Sequence, residues 1–167
     1  MQPTELLALP VVDCAEKDAV LLMWAVWPKL PLALQVMSSW GFTFQTLAFL
    51  WVKTYADPQN PFMGMGFYTR ANSEPVLLGT RGRGRRRKDA SVSQLVEEFV
   101  EPEVLRYPVG RHSAKPGILR RRIEQLYDGP YLELFAREAG MGWDIWGNQA
   151  PTEPELEPPN FWDIFGD

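Results

Sequence analysis

Apolar residues in the first third of the chain predict two strands with a helix between them. Ala19 to Trp27 (AVLLMWAVW) is a continuous apolar run of strand length, a pattern typical of strands buried on both faces in parallel sheets. In Leu30 to Trp40 the apolar residues recur at helical spacing, and Gly41 follows as a stop. Phe42 to Val52 is again apolar and aromatic, which predicts a second strand.

The remaining elements alternate in the same way. Thr54 to Gly66 is rich in proline, glycine and polar residues and indicates a loop, and Pro75 to Leu78 predicts a third strand. Pro116 to Tyr127 predicts a helix, and Tyr131 to Ala136 and Trp143 to Trp146 predict strands. Strands alternating with helices predict an α/β domain over residues 1–150 with a mostly parallel sheet. Residues 151–167 form an acidic tail rich in proline and aromatic residues.

Charge is unevenly distributed along the chain. The net charge is −4, yet residues 81–122 hold twelve Lys or Arg against five Asp or Glu, and residues 151–167 hold five acids and no base. A basic centre beside an acidic tail indicates a polyanion-binding face and a segment that competes for it. A solvated basic loop with a frayed tail explains the charges equally well.

Several function classes are excluded by composition. The single cysteine, Cys14, and the single histidine, His112, exclude a multi-cysteine zinc site and a histidine-rich centre, so we expect no metal. The longest apolar run is too short to span a bilayer, and the N-terminus has no basic residue typical of a signal peptide, so we expect a cytoplasmic chain without a membrane segment. No Walker A sequence or Gly-x-Gly-x-x-Gly loop is present.

Two segments carry the candidate chemistry. Lys115 directly precedes the predicted helix that begins at Pro116; a lysine beside the backbone N–H groups of a helix start suits a carboxylate or phosphate, although a solvent-facing lysine is the simpler interpretation. Glu133 lies inside an apolar strand, where a carboxylate is costly unless it is paired or faces a cleft. Arg137 and Asn148-Gln149 follow the ends of two strands, where open α/β sheets bind ligands, although a plain turn would also explain the amide pair.

The chain resembles the family of S-adenosylmethionine-dependent adenine-N6 methyltransferases. That family includes the catalytic subunit of the mRNA N6-adenosine methyltransferase and compact bacterial and phage DNA methyltransferases. The similar segments occur in family order and cover nearly all of residues 4–149: LLMWAVW, SSWGF, LWVKT, GFYTRANSEPVLLGTRG, HSAKPG, IEQLYDGP, YLELFAR and WDIWGNQ. Each segment alone is weak evidence for the family, but the ordered set of segments is specific for it.

The resemblance implies a Rossmann-like methyltransferase fold in permuted order, in which catalytic elements precede cofactor elements. It implies S-adenosylmethionine as the cofactor, with Lys115 at its methionine carboxylate. Glu133 and Arg137 are expected near the cofactor ribose, and Asn148 and Gln149 at its adenosine portion.

The resemblance also implies a nucleic-acid substrate, with DNA preferred to RNA. The segment GFYTRANSE is expected beside the target base, with Phe67, Tyr68 and Glu74 as contacts. Lys53 and the basic loop are expected to meet backbone phosphates; the basic members of that loop are Arg81, Arg83, Arg85, Arg86, Arg87 and Lys88.

One departure from the family pattern bears on catalysis. The family's catalytic signature, Asp-Pro-Pro-Trp, does not occur in these residues, so no catalytic residue is assigned. The resemblance places that signature on a strand upstream of residue 1, so the fold is expected to lack this strand. A fragment, a late start codon and a true loss all remain open. A missing central strand exposes apolar edges, which predicts a homo- or hetero-dimer. The alternative function is a catalytically inactive homologue that acts as a nucleic-acid-binding or partner subunit.

Overall fold

The computed structural model describes residues 1–54, 62, 64–66, 68–89, 91–92, 94–96 and 115–151. The chain divides into two compact units, an N-terminal unit Met1–Tyr127 and a C-terminal unit Asp128–Asp167. Each unit is described by itself. Phe67 and most of the predicted acidic tail, residues 152–167, lie outside the described residues.

The N-terminal unit combines short helices with a four-stranded sheet. Its elements in chain order are α1 (Pro3–Leu7), α2 (Val11–Cys14), β1 (Ala19–Trp24), a 3-10 turn (Trp27–Lys29), α3 (Leu30–Ser39), β2 (Thr43–Val52), β3 (Ser73–Arg81), β4 (Leu95–Val96) and α4 (Ile118–Leu126). The predicted strands and helices therefore exist, and the α/β class is confirmed. Gly41 ends α3 with a φ of +83°, a left-handed conformation that glycine adopts without steric cost.

The expectation of a mostly parallel sheet is not confirmed. The strand order is β1-β3-β2-β4, and β3 pairs antiparallel with both β1 and β2, while only the short β4 lies parallel to β2. The apolar run that suggested parallel pairing reports how buried a strand is, and burial does not determine strand direction. Here the most buried strand is β3, because β1 and β2 flank it on both sides.

Helices cover both faces of this sheet. On one face, Leu119, Leu126 and Tyr127 at α4 form a buried cluster with Phe49 of β2 and Val76 of β3. Side chains alternate between faces along a strand, so Gly79 faces the other side. A Cβ added there would lie 2.7 Å from the sulfur of Met37 in α3, which shows how closely that helix approaches. The sheet is thereby fixed between α3 and α4.

The C-terminal unit contains a parallel pair of strands, β5 (Tyr131–Leu134) and β6 (Trp143–Trp146). The rings of Tyr131 and Trp143, which are paired in register, stack with centroids 4.7 Å apart. This pair has the parallel arrangement that the sequence predicted. Across the part of the chain that the structure describes, no helix is long and apolar enough to cross a membrane.

Candidate functional site

Three of the predicted site residues converge in the N-terminal unit. Lys53 directly follows β2, Glu74 lies near the start of β3, and Lys115 precedes α4. The Nζ of Lys53 lies 2.5 Å from one carboxylate oxygen of Glu74, and the Nζ of Lys115 donates a hydrogen bond to the other. The Glu74 side chain is only 12% exposed. One nearly buried carboxylate therefore bridges two ammonium groups.

Two tryptophans complete this arrangement. Trp24 at the end of β1 and Trp51 of β2 lie edge to face, with ring centroids 5.9 Å apart. The Nζ of Lys115 lies 5.1 Å from the Trp24 centroid and 5.9 Å from that of Trp51, and the Nζ of Lys53 lies 5.1 Å from Trp51. Ammonium groups at this range are attracted to an aromatic face. We call the two lysines, the two tryptophans and Glu74 the lysine–tryptophan cluster.

Strand register explains why these residues meet. Glu74 of β3 pairs directly with Trp51 of β2, and the backbone N–H of Lys53 donates to the carbonyl of Asn72 at 2.7 Å. The ladder thus continues past the end of β2 and places Lys53 opposite Asn72, on the same face as Trp51 and diagonal to Glu74. The ladder therefore sets the positions of Trp51, Lys53 and Glu74, and Lys115 joins them from the segment before α4.

The electrostatics of the cluster leave it net cationic. Burial opposes ionisation of Glu74, but the hydrogen bonds and charges of Lys115 and Lys53 outweigh burial and hold the pKa of Glu74 below its ordinary value. One carboxylate between two lysines gives a net charge of +1. The two lysine side chains are 28% and 33% exposed, so an added carboxylate or phosphate can reach them from solvent.

Of the predicted basic loop, the first two arginines are bound to the chain itself. The guanidinium of Arg81 donates to the carbonyls of Val12 and Ala15 at 2.6 and 3.0 Å, which ties the end of β3 to the end of α2. The backbone N–H of Arg83 donates to Asp18 at 2.7 Å, and its side chain is 92% exposed. Arg81 is thus placed in a structural contact, whereas the head group of Arg83 reaches solvent.

The remaining members of the basic loop differ in exposure, and Arg85 is only half-buried. Arg85 forms a 2.5 Å ion pair with Glu16. Arg86, Arg87 and Lys88 are exposed. Tyr68, a predicted base contact, is fully exposed. Nothing in these positions shows which of the residues meets a phosphate or a base, so those roles remain predictions.

The other predicted cofactor residues lie in the C-terminal unit, at the carboxyl ends of β5 and β6. Glu133 is half-buried within β5, while Arg137, Asn148 and Gln149 are exposed just past the strand ends. The two strands are parallel, so these ends lie at the same edge, which we call the β5–β6 edge. That edge is where open α/β sheets take ligands.

A tight backbone crossing shapes the β5–β6 edge. Phe135 has a φ of +63°, which is uncommon for a residue other than glycine. The N–H of Ala136 donates to the carbonyl of Trp146 at 3.1 Å, and a Cβ added at Gly147 would lie 2.9 Å from the Cα of Phe135. Such strain is often found where a turn directs side chains into a site. Gly147, which lies against Phe135 at this crossing, immediately precedes Asn148.

Sequence reasoning missed three of these residues. Trp24, Trp51 and Phe135 were not assigned to a site. Seven tryptophans in 167 residues were noticeable, but only the register of β1, β2 and β3 shows which two of them face a lysine. The left-handed turn at Phe135 has no signal in its residue type.

Comparisons with known proteins agree with the motif order. The profile of the MT-A70 family matches residues 1–149. The chain is 32% identical over 157 residues to a protein of Mycoplasma sp. named Type II methyltransferase M.MunI. That alignment covers 93% of this chain and 60% of the relative, so the chain spans about three-fifths of the relative's length. The family profile covers most of the chain, and the chain belongs to the MT-A70 family.

Proposed function

We propose that this chain acts in the transfer of a methyl group from S-adenosylmethionine to the N6 amine of adenine in nucleic acid. The main support for this proposal is that Lys53, Glu74 and Lys115 lie in contact. The family resemblance assigns these three residues to a phosphate, the target base and the cofactor, respectively. Family membership and a relative named as a methyltransferase support the reaction class. The preference for DNA over RNA rests on the resemblance to compact bacterial and phage DNA methyltransferases.

The residues present fit the cofactor in chemistry. Lys115 has three N–H donors, of which Glu74 takes one, and the cationic cluster favours an additional carboxylate such as that of the methionine portion. Asn148 and Gln149 are exposed amides that suit an adenine edge. Glu133 and Arg137 suit ribose hydroxyls. When bound, S-adenosylmethionine supplies a sulfonium methyl group that is open to nucleophilic attack.

Glu74 links the two ligands in this proposal. Each of its oxygens accepts a hydrogen bond from one lysine, and because a carboxylate has about four acceptor sites, Glu74 can accept from a further donor. Lys115 keeps two N–H donors for a cofactor carboxylate while it stays bound to Glu74, and Glu74 can accept a hydrogen bond from the exocyclic amine of the target adenine. Lys53 provides a second positive charge beside Glu74 and is also available to contact a phosphate.

A second function is favoured by one sequence observation. The 167 residues contain no Asp-Pro-Pro-Trp tetrapeptide, the signature that is understood to hold the adenine amine by an Asp side chain and a Pro carbonyl. The alternative function is a catalytically inactive homologue that binds nucleic acid or assists an active subunit, and the exposed Arg86, Arg87 and Lys88 are compatible with it. Such a protein would keep the cationic cluster and the basic loop.

The sheet edge supports the proposal of a homo- or hetero-dimer. Among the described residues, β1 pairs with β3 alone, at the end of the strand order. Its six residues, Ala19–Trp24, are all half-buried and apolar. An unpaired apolar edge accepts a further strand, which another polypeptide could provide.

One experiment separates the two functions. The purified chain is incubated with S-adenosylmethionine and duplex DNA, and the digested nucleosides are analysed by mass spectrometry for N6-methyldeoxyadenosine. The product supports the enzyme. Absence of the product, with measurable cofactor and DNA binding, supports the inactive homologue, which should then change the rate of an active MT-A70 methyltransferase added to the mixture. Absence of both binding events refutes both functions.

A further inference from the structure

A groove on the N-terminal unit lies between α4 and the segment that follows the basic loop. It has a volume of about 450 Å³ and is lined by Asp89, Ser91, Val92, Ile118, Arg121, Arg122 and Gln125. None of these residues belongs to the lysine–tryptophan cluster or to the residues that the family resemblance assigned. We call this feature the arginine groove.

Helical spacing and one backbone hydrogen bond form this groove. Ile118, Arg121, Arg122 and Gln125 are three or four positions apart, so they share one face of α4. The backbone N–H of Lys88 donates to the carbonyl of Leu126 at 2.7 Å, which fixes the end of the basic loop against the end of α4. The arginine groove is therefore continuous with the basic loop.

The floor of the groove is apolar and its rim is polar. Val92 and Ile118 pack against the buried cluster of Phe49 and Val76. They form a fixed base, over which the side chains of Arg121 and Gln125 are exposed. A ligand in the groove would contact the apolar floor and could accept hydrogen bonds from the guanidinium of Arg121 and the amide of Gln125.

The single acid in the groove is engaged within its own turn. One oxygen of Asp89 accepts hydrogen bonds from the backbone N–H and the hydroxyl of Ser91, both at 2.7 Å. These bonds hold the pKa of Asp89 below its ordinary value, so it is ionised and the groove has a net charge of +1. Arg87 and Lys88, which directly precede Asp89 in the sequence, are exposed and add two further positive charges next to that residue.

We propose that the arginine groove binds a backbone phosphate of nucleic acid and extends the phosphate contacts of the basic loop onto α4. The planar guanidinium group binds two phosphate oxygens at once, and the amide of Gln125 can donate a further hydrogen bond. Phosphate contacts position a protein on nucleic acid without reading the sequence. This inference rests on the proposed nucleic-acid substrate.

The test compares matched pairs of variants in a binding assay with a fluorescently labelled DNA duplex. Gln125→Glu adds a negative charge to the groove, and Gln35→Glu makes the same change on the exposed face of α3. Arg121→Ala removes one exposed positive charge, and Lys29→Ala removes one at the start of α3. Circular dichroism and thermal melts confirm that all four variants fold.

We expect the two groove variants to bind the duplex about three- to tenfold more weakly than wild type, and the two controls to bind like wild type. Arg121→Ala should also lower the slope of log K against log salt by about 0.9, the value for one phosphate contact. Inorganic phosphate should displace the duplex no better than chloride at equal ionic strength.

Three results would overturn the groove assignment. If wild type binds the duplex and both groove variants match their controls, the groove is not a nucleic-acid site, while the proposed function stands. If inorganic phosphate displaces the duplex from wild type but not from Gln125→Glu, the groove is a site for free phosphate. If wild type binds no nucleic acid even at low salt, the groove assignment and the proposed substrate fail together.

Discussion

Lys115 donates a hydrogen bond to Glu74 although 41 positions separate them in the sequence. The start of α4 is thereby joined to the central strand of the sheet. The family resemblance places Lys115 at the cofactor carboxylate and Glu74 at the target base, so this hydrogen bond joins the residues expected to contact the two ligands. The ion pair is consistent with a site in which the cofactor carboxylate and the target base lie close together.

Removing the charge of Glu74 should destabilise the N-terminal unit. We expect Glu74→Gln to lower the free energy of unfolding by about 1–3 kcal/mol at neutral pH, because the amide oxygen of glutamine can accept from only one of the two lysines, and both ammonium groups lose their counter-charge. Urea unfolding measures this difference. Asp13→Asn, at an exposed carboxylate on α2, is the control and should change little.

The effect of Glu74→Gln should depend on pH with a defined sign. The folded-state pKa of Glu74 is lowered from its ordinary value of 4.5, so the unfolded chain takes up the proton first as the pH falls. The stability that the carboxylate contributes is therefore complete above the ordinary pKa and is lost as the pH falls through the folded-state value. A difference between wild type and variant that stays constant down to about pH 2 would show that the carboxylate charge does not stabilise the fold.

Asn148→Ala should weaken cofactor binding without affecting the fold. The side chain is exposed, and one lost hydrogen bond corresponds to about a tenfold weaker Kd. Calorimetric titration with S-adenosylmethionine measures it, with Gln35→Ala as an exposed-amide control. Equal affinities for the two variants would remove Asn148 from the cofactor site.

A methyl group at Gly147 should disturb the β5–β6 edge. The added Cβ would meet the Cα of Phe135 at 2.9 Å and backbone atoms on either side, so we expect Gly147→Ala to cost about 1–3 kcal/mol, as overpacking does. Gly117→Ala is the matched control, because no atom lies within 4 Å of its added Cβ and its φ is −62°. Similar melting temperatures for the two variants would show that the crossing at Gly147 tolerates a side chain.

The exposed basic loop should contribute phosphate contacts. We expect Arg86→Ala to weaken binding to duplex DNA and to lower the salt slope by about 0.9. Lys17→Ala removes an exposed charge before β1 and serves as the control. If the salt slope of Arg86→Ala equals that of wild type, Arg86 makes no phosphate contact.

The sequence predicted most elements, and three of the residues it singled out lie together in the structure. Helical spacing located α3 closely, and the apolar pattern located β6 at Trp143–Trp146. Strand direction could not be predicted from the sequence. The apolar run that begins at Ala19 indicates that the strand is buried, but it does not indicate whether the strand pairs parallel or antiparallel with its neighbour. Lys53, Glu74 and Lys115 were each selected for a separate ligand. Their mutual pairing depends on the register of Trp51 against Glu74, which local patterns do not encode.

In the proposed function, Lys115 holds the carboxylate of S-adenosylmethionine. Calorimetry on wild type, Lys115→Ala and the control Lys29→Ala should compare S-adenosylmethionine with 5′-methylthioadenosine, which lacks the amino-acid portion. We predict that Lys115→Ala binds S-adenosylmethionine at least about tenfold more weakly than wild type and Lys29→Ala. All three proteins should bind 5′-methylthioadenosine equally. An unchanged affinity of Lys115→Ala for S-adenosylmethionine, or an equal loss for both compounds, would contradict the claim.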